Sequence, residues 1–374
     1  MANDRPGNGL PSNRQNSPIP WASRPLPESN DLCRISCGQK LLRRDRASQD
    51  PSGEVLAVDV VERRAPRPAP RQTSPSLPPC PTCGQATVFL LEAQDPCAPD
   101  GPRYQVHWCP PCAQGYTRPA GDPAASYGDA FYLSPRAETL LAPLYRLFHG
   151  HRLGPLLRHA GSGPWLDWGA GNGAFAAYVE RRTDRRCLFH EPSTAGRRLA
   201  LARQLLEVDL ERDGPFGAIS LWHVLEHLER PRDLLDRLRS HLAPDGVLVV
   251  SVPNLASLQA VLFGSRWFHL DVPRHRRHFS PRGLRGLLVE AGFAVVEELP
   301  ALLEYEGSGS LQSLLNLLQR RPNELYRGLK GDVAALRRSV GYLLPASIAA
   351  ALLTAGGSFP GAGAALTMVA RPRV

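Results

Sequence analysis

Hydrophobic patterning changes character several times along the chain. Residues 1–78 show neither a two-residue nor a 3.6-residue period; they are rich in Pro, Arg, Ser, Asn and Gly, with one short apolar run at Val55-Leu56-Ala57-Val58. Such a stretch buries too little apolar surface to offset the entropy of ordering it, so a disordered tail is expected. Residues 79–118 hold two strand-like runs, Thr87–Leu91 and Tyr104–Trp108, around a turn rich in Pro, Asp and Gly. Residues 119–160 read as a linker with aromatic residues (Tyr127, Phe131, Tyr132) and then a cap helix. That helix has Ser134 as N-cap and Pro135 at its first position, and it runs to Phe148.

From Trp165 short apolar runs alternate with helix-period segments. The strands are Trp165–Trp168, Arg186–Glu191, a weak one ending at Val208-Asp209, Ala218–Trp222 and Val247–Val252. Between them lie helices at Ala174–Arg182, Ser193–Gln204 and Pro231–His241, and a turn at Asp245-Gly246. Alternation of this kind predicts a parallel sheet whose ligand lies over the strand C-termini. The core is expected over residues 161–300, with a helical insertion at 301–362 and a last strand in 363–374. In the insertion Leu311, Leu314, Leu315 and Leu318 form a helical stripe. The charge-free run Ser339–Ala370 is interrupted by Pro345, Gly356-Gly357 and Pro360. A membrane span needs about 20 continuous apolar residues, and the longest uninterrupted piece, Ala346–Ala355, is too short.

Charge and cysteine content add to this picture. The formal charge of +9 is carried mainly by arginine, which admits nucleic acid, anionic lipid or phosphorylated substrates and is equally met by a solvated basic surface. The polar N-terminus lacks an apolar signal segment, so a cytoplasmic location is expected, with the inner face of the membrane open to it. In that reducing setting paired cysteines favour metal over disulfides. Cys80-Pro-Thr-Cys83 and Cys109-Pro-Pro-Cys112 flank the hairpin. Two thiolates on each of two tight turns are what a closed, structural zinc site requires. Cys97 lies in the intervening turn as a bystander, and Cys33 and Cys37 lack a second pair nearby.

The stretch Trp165-Leu-Asp-Trp-Gly169-Ala-Gly171-Asn-Gly173 is a strand, an acid and three alternating glycines opening a helix. Glu191 follows about twenty residues later at the next strand tip, where a carboxylate can accept both hydroxyls of a ribose. The run His223-Val-Leu-Glu226-His227-Leu-Glu-Arg-Pro231 resembles the post-strand-four signature of class I S-adenosylmethionine-dependent methyltransferases. More narrowly it resembles the branch of ubiquinone-pathway O-methyltransferases and small-metabolite enzymes. Leu242–Gly246, Asp271–His275 with His278-Phe279-Ser280, and Ala291-Gly292-Phe293 are similar to that family in the same order.

The resemblance implies a Rossmann-like α/β fold: a seven-stranded, mostly parallel sheet whose last strand returns antiparallel at the sheet edge. It implies that Asp167, Gly169, Gly171 and Gly173 surround the methionine and ribose of the cofactor. Glu191 would hold the ribose, Asp209 would border the adenine, and Trp222 and His223 would lie beside the methionine. The acid usual at the start of strand four is replaced here by Gly217-Ala218.

Methyl transfer to a hydroxyl is helped by a general base, and histidine suits neutral pH. His275 is the first candidate, followed by His278 and His223; the alternative is that His275 and His278 merely order their segment by hydrogen bonds. His223, Glu226 and His227 occupy positions where ubiquinone-type enzymes carry metal ligands. The expected activity is methylation of a small-molecule, sugar or lipid-linked acceptor. The alternatives are an RNA methyltransferase gripping phosphates with its zinc knuckle, and a binding or scaffold protein that kept the fold. For residues 301–362 three roles stay open: a substrate cover, a homodimer contact, or a membrane-surface contact through basic residues beside an apolar stripe.

Overall fold

The structure is a computed structural model that describes residues 77–98, 100–119, 135–299, 303–356 and 362–373. The expected disordered tail with Cys33, Cys37 and Val55–Val58 lies outside the described residues, apart from its last two positions; so do Tyr127, Phe131, Tyr132 and Ser134. Internal contacts divide the chain into Met1–Arg71 and Gln72–Val374, and all the described residues belong to the second unit.

The main sheet has six strands: β4 (Trp165–Trp168), β5 (Cys187–His190), β6 (Phe216–Trp222), β7 (Leu242–Pro253), β9 (Phe293–Leu299) and β10 (Ala365–Pro372). Their order is β5-β4-β6-β7-β10-β9. β5, β4, β6 and β7 are parallel, and β10 runs antiparallel to both β7 and β9. Two expectations change. The weak seventh strand is reduced, among the described residues, to a bridge from Phe189 to Glu207. The amides of Phe189 and Val208 still bond across it, but the charged and exposed positions beyond Val208 end the ladder. The last strand does not close the edge: β10 inserts between β7 and β9. Its first six residues are all buried, whereas β9 alternates towards solvent and forms the edge.

Helices α2 (Ala174–Arg182), α3 (Thr194–Ala202), α4 (Pro231–Arg239), α5 (Leu258–Phe263) and α6 (Pro281–Glu290) connect these strands. Ser193, Ser257 and Ser280 cap three of them by accepting from an amide three residues on. Leu235, Leu238, Leu284 and Leu288 are fully buried with Phe216, Ile219 and Phe293. The glycine that replaces the expected acid at Gly217 has a steric cause. A Cβ there would stand 2.4 Å from the Gly161 carbonyl oxygen and 2.7 Å from that of Ser162.

The cap helix α1 spans Pro135–His159, eleven residues beyond the expected end, and contains Pro143 and Pro155. Beyond β9 come α7 (Leu303–Leu318), α8 (Glu324–Leu329) and α9 (Val333–Gly356). The leucine stripe expected on α7 is only partly its inner face: Leu315 is buried and Leu318 is 53% exposed. Polar residues dock the helix instead. Gln312 donates to Asn316, which donates to Asn323, and Gln319 donates to Ser339. α9 continues through Pro345 and leaves Val340, Leu344, Ile348 and Leu352 exposed at four-residue spacing. No described helix is long and apolar enough to cross a membrane.

A second sheet holds β1 (Val88–Gln94), β2 (Arg103–Cys109), β3 (Gln114–Arg118) and β8 (Arg277–Phe279), in that order. The expected hairpin is β1–β2, while β3 was not legible as a strand. β3 pairs antiparallel with β8, matching Gln114 to Phe279, Gly115 to His278 and Tyr116 to Arg277. The cysteine unit is therefore stitched into the segment that carries the candidate histidines.

Candidate functional site

The glycine turn after β4 follows the expected course. Gly169, Gly171 and Gly173 have φ of 75°, 57° and 72°, a conformation disfavoured for side-chain-bearing residues. A Cβ on Gly169 would lie 2.6 Å from Val224 Cγ2, and one on Gly173 would lie 2.6 Å from Leu205 Cδ1. The amides of this turn are not free, however. Those of Gly169 and Ala170 donate to the His190 carbonyl, and that of Gly171 donates to Glu191 Oε2 at 2.8 Å. Glu191 Oε1 accepts from the Ser193 amide at 2.9 Å. Because a carboxylate offers about four acceptor sites, Glu191 is locked in place with capacity left for two hydroxyl donors.

Asp167 is buried at the β4 tip and accepts from Ser220 Oγ at 2.7 Å. Burial pushes its carboxyl up to about 6. Asp209 stands apart: it is exposed, and its carboxylate accepts from the Glu211 amide and approaches Arg212. Among the described residues, no hydrogen bond or ion pair joins its side chain to the other expected cofactor residues.

At the tip of β6, Trp222 packs edge-on to Phe175, and its buried indole N–H has no partner. His223 follows with φ of 58°, an uncommon value for a non-glycine residue. Its Nδ1 is 2.9 Å from Glu226 Oε1, and its Nε2 is buried without a partner. Burial pushes His223 down to about 3 and raises Glu226 to about 7.

His275 is also buried, and its Nδ1–H donates to the His269 carbonyl at 2.9 Å, which leaves Nε2 as the acceptor. His227 Nδ1 likewise bonds the Arg274 carbonyl. Glu226, His227 and His275 each offer a ligand atom, all within 4.8 Å of one another. This trio, with His275 in place of His223, is the metal-competent grouping at this end. His278 points elsewhere: its Nε2 bonds Thr117 Oγ1 of β3 at 2.9 Å, and the same hydroxyl donates to the His275 carbonyl. Its contacts are those of a seam residue.

Sequence reasoning missed the residues that close this space from above. Arg152 of α1 lies 5.2 Å over the Trp222 ring and donates to Glu304 Oε1 and Tyr305 Oη, each at 2.6 Å. Tyr305, in the first turn of α7, stands 4.1 Å from His223 ring to ring. The insertion thus reaches the β6 tip, and no local motif marks either residue.

In the ribbon, Cys80 Sγ is 3.8 Å from Cys112 Sγ, and Cys83 Sγ is 3.6 Å from Cys109 Sγ. All four sulfurs lie within 4.8 Å of one another. A tetrahedron with metal–sulfur bonds of about 2.3 Å has edges of about 3.8 Å, so the four thiols fit one such ion. Arg277 ties the ribbon to the core. It donates to Thr82 Oγ1 at 2.8 Å and to the Glu229 carbonyl, with the Tyr116 ring 5.2 Å away.

Residues 142–298 match the family model of a methyltransferase domain. No curated protein matches the chain. Among solved structures, the chain is similar to the [4+2]-cyclase SpnF, with 18% identity over 64% of this chain and 94% of that one and a TM-score of 0.39. It is similar to the mycolic acid cyclopropane synthase CmaA1 complexed with SAH and CTAB, with 15% identity, 59% and 82% coverage and a TM-score of 0.40. It is also similar to the glycopeptide N-methyltransferase MtfA complexed with S-adenosylmethionine, with 21% identity, 42% and 85% coverage and a TM-score of 0.31. Acceptors of this methyltransferase domain must therefore be argued from its own residues.

Proposed function

We propose that the protein methylates a hydroxyl of a small-molecule, sugar or lipid-linked acceptor, with zinc in the ribbon holding the acceptor side together. The observation that carries this reading is the buried His223–Glu226–His275 cluster at the β6 tip, where His223 Nε2 is unpartnered and His275 keeps its proton on Nδ1. When bound, the cofactor supplies an electrophilic methyl group on a sulfonium. Gly169, Gly171 and Gly173 give it close backbone approach, and Glu191 receives its ribose hydroxyls. Holding nucleophile and methyl in line is worth up to roughly 7–11 kcal/mol. Nε2 of His275 or His223 takes the hydroxyl proton, and Glu226, when ionised, orients His223 through Nδ1.

Radiolabelled methyl transfer to a panel of hydroxyl acceptors tests this reading. We expect His275→Ala and His223→Ala to lower kcat by about 10²–10⁴ between them while calorimetric cofactor binding persists. Unchanged turnover in both variants sinks the general-base reading. The Glu226–His227–His275 trio supports a second reading in which a divalent ion polarises the hydroxyl. Restoration of activity by added metal after chelation, with the ribbon metal retained, would favour it. Steep salt dependence of RNA binding would favour an RNA acceptor instead.

A further inference from the structure

A cavity of about 210 Å³ lies where the ribbon hairpin, the segment after α5 and the end of α7 meet. Its walls include Arg103, Arg266 and Arg320, one guanidinium from each of these three parts, together with Trp267 and Asp271. Arg103 pairs with Glu92 at 3.0 Å, and Asp271 is engaged by Arg274. Arg266 and Arg320 have no side-chain partner among the described residues and are both exposed. Trp267 is 3% exposed and its indole N–H is unpartnered. Two uncompensated guanidiniums and an orphan donor leave this cavity short of an acceptor-rich anion.

We infer that this cavity binds the phosphate or diphosphate group of the methyl acceptor. A guanidinium fork takes a carboxylate or a phosphate two oxygens at a time, but only a phosphate or diphosphate has oxygens enough for two forks at once. The cavity also borders the proposed chemistry: Asp271, one of its wall residues, has its Oδ2 4.0 Å from His275 Nε2. An acceptor anchored by its phosphate between Arg266 and Arg320 can extend past Asp271 towards the histidine cluster. The inference rests on the methyl-transfer reading for the identity of the ligand, but the anion site itself does not.

Inorganic pyrophosphate is the probe. Calorimetric titration of the full chain, with and without S-adenosylmethionine, is expected to show one salt-sensitive site. Arg266→Ala and Arg320→Ala should each weaken it about tenfold or more, with unchanged thermal melting, and the Lys substitutions should weaken it less. Absence of a site, or binding indifferent to both Ala variants, overturns the inference even if methyl transfer is observed. A second arm compares a phosphorylated hydroxyl acceptor with its dephosphorylated form. A selective rise in KM in the Arg266→Ala and Arg320→Ala proteins supports the acceptor assignment. Pyrophosphate binding without any preference for the phosphorylated acceptor overturns that assignment and leaves only an anion site.

Discussion

Around the β6 tip, the proposed cofactor and acceptor ends are built differently. The cofactor end is made by backbone: three positive-φ glycines, amides spent on the His190 carbonyl, and one carboxylate pinned by two amides. The acceptor end is made by side chains from distant parts of the chain. Arg152 comes from α1, Glu304 and Tyr305 from the insertion, His275 from the segment before β8, and Thr117 from the ribbon. A backbone-built end tolerates little substitution in place but depends on few remote contacts. A side-chain-built end can be loosened from far away.

The largest expected effect tests that remote dependence. Cys80→Ser with Cys109→Ser should remove about one equivalent of zinc, whose binding contributes roughly 10–16 kcal/mol to folding in small units of this kind. Hydrogen exchange should then accelerate in β1–β3 and also in Arg277–Phe279, because β3 is paired to β8. Protection confined to normal levels in 277–279 would separate the two ends of the seam. Removing Arg152 comes next: Arg152→Met strands the largely buried Glu304 carboxylate, at a cost of about 3–5 kcal/mol. Exchange should rise in the first turn of α7. At the cofactor end Gly173→Ala meets Leu205 and the Ala200 backbone with φ unfavourable, so about 1–3 kcal/mol of stability is expected to go, together with S-adenosylmethionine binding.

The pH response separates the ends more gently. His223 is held near 3, His269 and His278 near 4, and His275 well below the usual value, all chiefly by burial. Groups with depressed folded pKa values bind protons more readily when unfolded, so the stability they contribute is present above about 6.5 and is lost as pH falls towards 4. Asp167 near 6 and Glu226 near 7 act oppositely, losing stability as pH rises through those values. With the histidines in the majority, the melting temperature should fall on acidification from pH 6.5 to 4, and His278→Gln should flatten that slope. The smallest effect is expected from Glu191→Gln, which can accept from only one of the two backbone amides that now bond its carboxylate: about 1 kcal/mol of stability lost and cofactor affinity reduced roughly tenfold.

What was legible follows the same division. The glycine turn sits within one strand–turn–helix unit, so the course of Gly169–Gly173 was legible locally and α2 has the expected limits; Glu191 follows at the tip of the next strand, where its spacing put it. Asp209 could not be placed, because its strand lacks the apolar residues that would hold a ladder. At the acceptor end, His223 and His275 were visible as residue types. That His278 faces Thr117, and that Tyr305 stands over His223, depends on long-range pairing that no local period encodes. Leucine spacing on α7 misled because hydrogen-bonded Gln, Ser and Asn side chains do the packing there.

The pairing of β3 with β8 also bears on how the protein can be cut. A fragment beginning after residue 119 would keep the entire match to the methyltransferase domain. It would nevertheless strip the antiparallel partner from Arg277–Phe279 and expose the rim that faces β3, while the Phe279 carbonyl keeps its bond from the Leu255 amide. Such rims recruit other chains edge to edge. The isolated catalytic fragment should therefore be prone to self-association, and a ribbon supplied in trans should restore its solubility.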